Sequence, residues 1–231
     1  MTTLALDTSM AACSAAILRP DAPHAVQRFE RMEKGHAEAL FEMIEAVLED
    51  SGCGFDDLEK IAVTVGPGSF TGVRAGVAAA RGLALAAKLP LVGASSLEVM
   101  ARGCVRQTGE GDRQDGFIVV HDARRGEVYA QRFDADGRPT AQPELRLLTE
   151  LAAELAPASC LVVGSAAAAI AGEAERSGRQ LRIALPELLP EAGDLAVICA
   201  SKPPQAYPPA PLYLRAADAK PQIGKSLARA E

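Results

Sequence analysis

A short β-branched strand, Ile61–Val65, runs into Gly66-Pro67-Gly68-Ser69-Phe70-Thr71-Gly72 and then into a helix expected from Val73 to Lys88. A glycine-rich turn joining a strand to a long helix is the joint of an α/β layer, because glycine supplies the backbone angles that a sharp reversal needs. The helix is built on small residues, with Gly72, Gly76, Ala80 and Ala84 recurring at four-residue steps and so sharing one face. A face without side chains lets another backbone come close and gain dispersion contacts.

The rest of the chain repeats the same grammar. Leu4-Ala5-Leu6 opens a buried strand that meets Asp7-Thr8-Ser9, read as a tight turn, and Cys13–Leu18 returns as a second strand, making residues 3–18 a hairpin. A third strand is expected near Val26–Arg31. From His36 to Glu49 the period becomes helical, with Ala37, Leu40, Phe41, Ile44, Val47 and Leu48 as one stripe and Ala39, Met43 and Ala46 as a second. Leu91–Gly93 is a strand, and Ser95 with Glu98 is a capping box for a helix to about Cys104. Residues 105–116 are polar and glycine-rich and predict a lobe boundary. Beyond them come strands Phe117–His121 and Glu127–Phe133 around the turn Asp122–Gly126, then a short helix from Thr149 or Glu150 to Ala156. A strand at Leu161–Val163, a helix over Ser165–Ser177, a last helix over Asp194–Ala200 and a proline-rich tail complete the chain. The prediction is an α/β protein of two lobes, 1–104 and 105–231, each a mixed sheet with flanking helices, the arrangement of the actin, sugar-kinase and heat-shock ATPase group.

Composition limits function. The net charge is −6, and no Lys/Arg run is longer than Arg124-Arg125. A protein that held RNA unaided would need a dense basic footprint, so nucleic-acid contact is expected only jointly with a partner. Five scattered cysteines, Cys13, Cys53, Cys104, Cys160 and Cys199, show no C-x-x-C spacing and read as free thiols of a reducing compartment. No apolar run approaches the ~18 residues of a membrane span, and the N-terminus lacks a charged region before an apolar one. Cytoplasmic localisation is expected.

Three segments carry a family resemblance: Leu4–Leu18 (LALDTSMAACSAAIL), Gly66–Ala86 (GPGSFTGVRAGVAAARGLALA) and Asp122–Ala130 (DARRGEVYA), with Pro211–Arg215 (PLYLR) as a fourth. Together they resemble the TsaB (YeaZ-type) family, noncatalytic paralogues of TsaD in the actin-like, ribonuclease-H-like fold group. The resemblance implies an accessory subunit in threonylcarbamoyladenosine formation on tRNA, beside the anticodon. Its implied partners are a TsaD-like catalytic subunit and a TsaE-like ATPase, with a homodimer when alone and tRNA only through the complex. No cofactor is implied, and ATP or ADP would sit only at a composite site with partners.

Candidate chemistry is sparse. Asp7, Thr8 and Ser9, with Gly66, Gly68, Ser69, Thr71 and Arg74, read as a vestigial phosphate loop, or alternatively as packing turns. The loop is neither G-x-x-x-x-G-K-[ST] nor G-x-G-x-x-G, and Pro67 removes one donor. Arg74 in the first helical turn opposes the helix dipole and predicts a carboxylate or phosphate partner, or a solvated charge. By alignment to TsaD, Ser96 and Met100 stand where that paralogue carries two metal-binding histidines, and neither is a fit ligand for a divalent metal. A metallopeptidase is thereby remote, and a kinase-like ATPase or phosphotransferase is the alternative function. His24, His36 and His121 are separated; His36 reads as a polar residue near a helix start, and His121 as organising a turn. The expected partner interface is Leu40, Met43, Ala46 and Val47 of one helix with Gly72, Gly76, Ala80 and Ala84 of the next.

Overall fold

The computed structural model describes residues 1–155, 160–204 and 207–215. The first lobe begins with strands β1 (Thr3–Met10), β2 (Ala12–Leu18) and β3 (Val26–Arg31), then helix α1 (His36–Ser51), strand β4 (Lys60–Thr64), helix α2 (Phe70–Ala87) and strand β5 (Leu91–Ala94). Helices α3 (Ser96–Gln107) and α4 (Glu110–Arg113) lead to strands β6 (Phe117–Asp122), β7 (Glu127–Phe133) and β8 (Glu144–Leu147). Helix α5 (Leu148–Glu154), strand β9 (Leu161–Val163), helix α6 (Ala167–Arg176), strand β10 (Arg182–Ala184) and helix α7 (Ala192–Ala200) follow.

Two five-stranded mixed sheets result, ordered β3-β2-β1-β4-β5 and β10-β9-β6-β7-β8. In each, the first strand pairs antiparallel on its hairpin side and parallel with the strand reached by a helical crossover. The two halves therefore wind the same way. The outer strands β8 and β10 lie beyond the elements expected from sequence. They are short, at sheet edges and half exposed, so Glu144–Leu147 and Arg182–Ala184 carry no clean alternation to read.

The hairpin of residues 3–18 forms, but its reversal is at Ala11. Asp7-Thr8-Ser9 is a correction to the tight turn expected there. These residues remain within β1, and the pairing register slips between Asp7 and Met10, a bulge that re-aims their side chains.

Apolar burial explains the helix placement. One face of the first sheet packs on α1 and α2 through Leu4, Leu6, Ile17, Leu40, Ile44, Val73 and Val77. The opposite face, through Ala5, Ala16, Ala62 and Val92, receives α7 through Leu195, Ala196 and Cys199. Helix α3 turns the other way: Leu97, Met100 and Cys104 pack with Phe117, Val119 and Val163 of the second sheet. Packing thus crosses the boundary expected at 104/105. A late helix closes the first sheet, an early helix covers the second, and α3 and α7 meet between them.

Local signals set the helix ends. Helix α1 stops at Gly52 in the left-handed region (φ 64°), whose N–H reaches Leu48 and Glu49 carbonyls. The box at α3 is complete, with Glu98 N donating to Ser95 Oγ at 3.1 Å and Ser95 N to Glu98 Oε2 at 2.8 Å.

Candidate functional site

The bulge of β1 and the loop before α2 are pressed together. Ser69 N donates to Ser9 O at 2.7 Å, and Thr8 Oγ1 donates to Gly72 O at 2.7 Å. A methyl group at Gly68 would overlap the Ser9 carbonyl, one at Gly72 the Thr8 carbonyl, and one at Gly76 the Thr8 hydroxyl. Glycine is needed here because the chain's own backbone and the Thr8 hydroxyl lie directly against these positions. The two segments read as a vestigial phosphate loop, around Thr8–Ser9 and Gly68–Gly72, are therefore packed against each other. Ser69 caps α2 by accepting from Gly72 N at 3.3 Å, while Thr71 lies exposed on the helix. Gly66 is in the left-handed region (φ 97°), and its carbonyl accepts from Ser96 N at 2.9 Å.

Asp7 is fully buried beneath this junction. Its Oδ1 accepts from Ser9 N at 3.2 Å, from Ser9 Oγ at 2.6 Å and from Thr64 Oγ1, while among the described residues none reaches Oδ2. Burial pushes the carboxyl up to about 6; the Ser9 and Thr64 hydrogen bonds and the His36 charge oppose the shift without cancelling it. The folded protein thus holds a proton that the unfolded chain, at 3.8, has released. Stability from this group is present below that value and is lost as pH rises to about 6. Asp7→Asn should raise stability at pH 7 by about 2 kcal/mol and have no such effect near pH 4, read by urea unfolding at both pH values.

Arg74 has found a different partner from the carboxylate or phosphate expected. Its Nε donates to the Tyr213 hydroxyl at 2.7 Å, and its guanidinium carbon lies 3.6 Å from the Phe70 ring centroid. Tyr213 belongs to a tail segment strapped along α2. Leu212 N donates to Val65 O at 2.7 Å, and Arg81 Nη2 to Pro209 O at 2.7 Å. Arg215, at the end of the strap, pairs with Glu127 of the second lobe. The fourth sequence motif is therefore a tie from α2 to the β6–β7 turn.

The aligned metal positions serve packing. Ser96 Oγ donates to Pro67 O at 2.8 Å, and Met100 is fully enclosed in the core shared with the second sheet. Those side chains do not fit a metal ion. His36 begins α1 and its Nε2 bonds Met10 O at 2.9 Å, while Cys13 is buried beneath it with its thiol pushed up to about 12 by burial and the Asp7 charge. His121 Nδ1 lies 3.0 Å from Ser165 Oγ, which also accepts from Asp122 N at 3.0 Å, an arrangement that ties the β6 end to the α6 entry. Burial pushes that imidazole down to about 4.

The partner-interface residues require a correction. Leu40, Met43 and Val47 are buried in the protomer's own core, as are Gly72, Gly76, Ala80 and Ala84, and Ala46 is half-buried. The small-residue row faces β1 because Thr8 needs that closeness. The outward face of α2 carries Arg74, Ala78, Arg81, Gly82 and Leu85, with Leu85 81% exposed, and α1 offers Phe41 at 50%. Those two large apolar residues were missed as contact points, although Leu85 directly follows Ala84 of the small row.

A family model described as TsaD, tRNA N6-adenosine threonylcarbamoyltransferase, matches residues 30–156. The tRNA threonylcarbamoyladenosine biosynthesis protein TsaB of Escherichia coli is 39% identical over 136 residues, 59% of this chain and 56% of its own length. This chain thus spans little more than half of that relative. An uncharacterized protein of Mycobacterium tuberculosis is 35% identical over 226 residues, 95% of this chain and 94% of its own. The structure of YeaZ from Pseudomonas aeruginosa superposes with a TM-score of 0.75 at 29% identity, covering 92% of this chain and 99% of that one. Another Pseudomonas aeruginosa structure, described as similar to peptidase YEAZ, gives the same TM-score of 0.75. A polyphosphate/ATP-glucomannokinase from Arthrobacter, at TM-score 0.50 and 10% identity, shares the fold alone. With its doubled sheet and these relatives, the chain belongs to the TsaB (YeaZ-type) group of the TsaD family.

Proposed function

We propose that this protein is a noncatalytic, cytoplasmic accessory subunit in the formation of threonylcarbamoyladenosine on tRNA, docking a TsaD-like catalytic subunit and supporting a TsaE-like ATPase. The observation that carries the docking role is the outward face of α1 and α2, where Leu85 and Phe41 stand exposed. Large apolar side chains on the outside of small-residue helices lose water contact only against another protein surface. A homodimer through the same face would compete with that assembly. Two features support the lack of a reaction centre in this chain: the glycine-rich loop is packed directly on Thr8 and Ser9, and Ser96 and Met100 serve packing. Any ATP or ADP would then lie at a surface shared with partners, and tRNA would be held by the assembly.

Leu85→Glu should weaken association with the TsaD-like subunit at least about 100-fold, since it places a charge in a closed apolar contact. Native mass spectrometry of the mixed proteins reads this. Because Leu85 lies in solvent within the protomer, the variant should keep the wild-type melting temperature. Unchanged complex formation would refute the docking face. Ala80→Glu is unsuitable for this test: Ala80 is fully enclosed, so a charge there unfolds the lobe.

A further inference from the structure

We propose that Phe70, Arg74, Tyr213 and Arg124 form a contact for single-stranded RNA, rather than leaving all tRNA contact to partner subunits. The inference rests on the tRNA-modification reading above and assigns part of the RNA contact to this chain. Phe70 is 56% exposed and Tyr213 49%, with ring centroids 5.7 Å apart. Arg74 stacks on the first ring and hydrogen-bonds the second. Two half-exposed rings bridged by a guanidinium offer stacking edges for unpaired bases regardless of sequence.

Phosphate contacts continue from it. The strap carries the chain from Tyr213 to Arg215, whose Nη2 approaches the Arg124 carbonyl at 3.5 Å. Arg124 has its side chain 80% exposed, and only Asp122, at 3.7 Å, is an ion-pair partner among the described residues. Arg124, Arg125 and Gly126 all adopt positive φ, at 66°, 59° and 73°. Consecutive left-handed arginines are an unfavourable way to build a hairpin turn, and such strain is retained where it aims side chains for use. Here it turns the Arg124 side chain to solvent while the Arg124 carbonyl meets Arg215, two residues along the chain from Tyr213. Arginine with exposed aromatics is the chemistry of single-stranded nucleic acid recognition, since guanidinium groups meet phosphates and rings meet bases. The acidic outer face of α1, with Glu38, Glu42, Glu45 and Glu49 exposed, is unsuited to that ligand and confines it to this side.

The test is fluorescence anisotropy of a labelled octa-adenylate RNA titrated with the full chain across a salt series. Wild type should bind with a dissociation constant on the order of 100 µM or tighter at low salt. Tyr213→Leu should weaken binding by about 10-fold with the salt slope unchanged, because it removes a stacking face. Arg124→Asn, whose side chain tolerates the left-handed turn, should lower the salt slope by about one. Arg176→Ala, a solvent-facing arginine on α6, should match wild type. The proposal is overturned if wild type fails to bind, or if Tyr213→Leu and Arg124→Asn bind like Arg176→Ala. It is also overturned if the cluster instead serves only a protein partner, in which case RNA binding is absent while these variants lose the TsaD-like subunit. Failure here leaves the docking reading intact, because that reading is decided by Leu85 and complex mass.

Discussion

Lys60→Met is expected to cost about 3–4 kcal/mol of folding stability. Lys60 opens β4, and its ammonium group is enclosed with no carboxylate against it among the described residues. It donates instead to Cys199 O at 3.0 Å, Ala200 O at 2.9 Å and Lys202 O at 2.9 Å. These carbonyls end α7, where a helix lacks internal donors and its dipole favours a cation. Methionine matches the stem but leaves the carbonyls without a donor, so the loss includes their desolvation as well as the three bonds. Because α7 covers one face of the first sheet, the damage should reach both lobes in one transition. Urea unfolding with a melt of the same variant checks this; a melting temperature within about 2 °C of wild type would show that the clamp contributes little.

Gly72→Ala should cost about 2–4 kcal/mol, from one added methyl group. Alanine ordinarily favours a helix over glycine by up to about 1 kcal/mol, so intrinsic propensity predicts the opposite sign. Position 72, however, faces the Thr8 carbonyl, and a Cβ there overlaps it. Either α2 moves off the sheet or the β1 bulge shifts, and each breaks the Thr8 Oγ1 to Gly72 O bond and loosens the packing over Val73 and Val77. Gly82→Ala on the same helix is the control, because a methyl group at Gly82 meets open space and should be neutral or mildly stabilising. Thermal denaturation of both variants separates the effects: Gly72→Ala should melt roughly 5–15 °C lower while Gly82→Ala melts at or above wild type.

These glycines also mark where the sequence was legible and where it was not. Strand, loop and helix are plain in Ile61–Lys88, since β-branched residues, three glycines and an alanine-rich run each favour one conformation. That the row Gly72, Gly76, Ala80, Ala84 faces something close is equally plain. What it faces is not, because periodicity names a face and never its neighbour. A partner helix and the chain's own Thr8 satisfy the same pattern, and the bulge that brings Thr8 there has no local signature. Asp7-Thr8-Ser9 looks like a turn because short polar residues dominate it, yet the pairs Asp7–Ser14 and Met10–Ala12 on either side keep it within the strand. Arg74 lacked a readable partner for a related reason. Its acceptor, Tyr213, is far along the chain and arrives only through the strap. The same long-range return crosses the boundary drawn from the polar stretch at 105–116, since α7 comes back to the first sheet.

The most direct test of the central claim is a tRNA modification assay with purified TsaD-like and TsaE-like partners and the threonylcarbamoyl donor, supplied with this protein as wild type, Asp7→Asn or Leu85→Glu. An accessory role acting through the outer helix face requires full activity with Asp7→Asn, and activity with Leu85→Glu no higher than when this protein is omitted. The reverse, with Asp7→Asn inactive and Leu85→Glu fully active, would place chemistry at the buried carboxylate and contradict it.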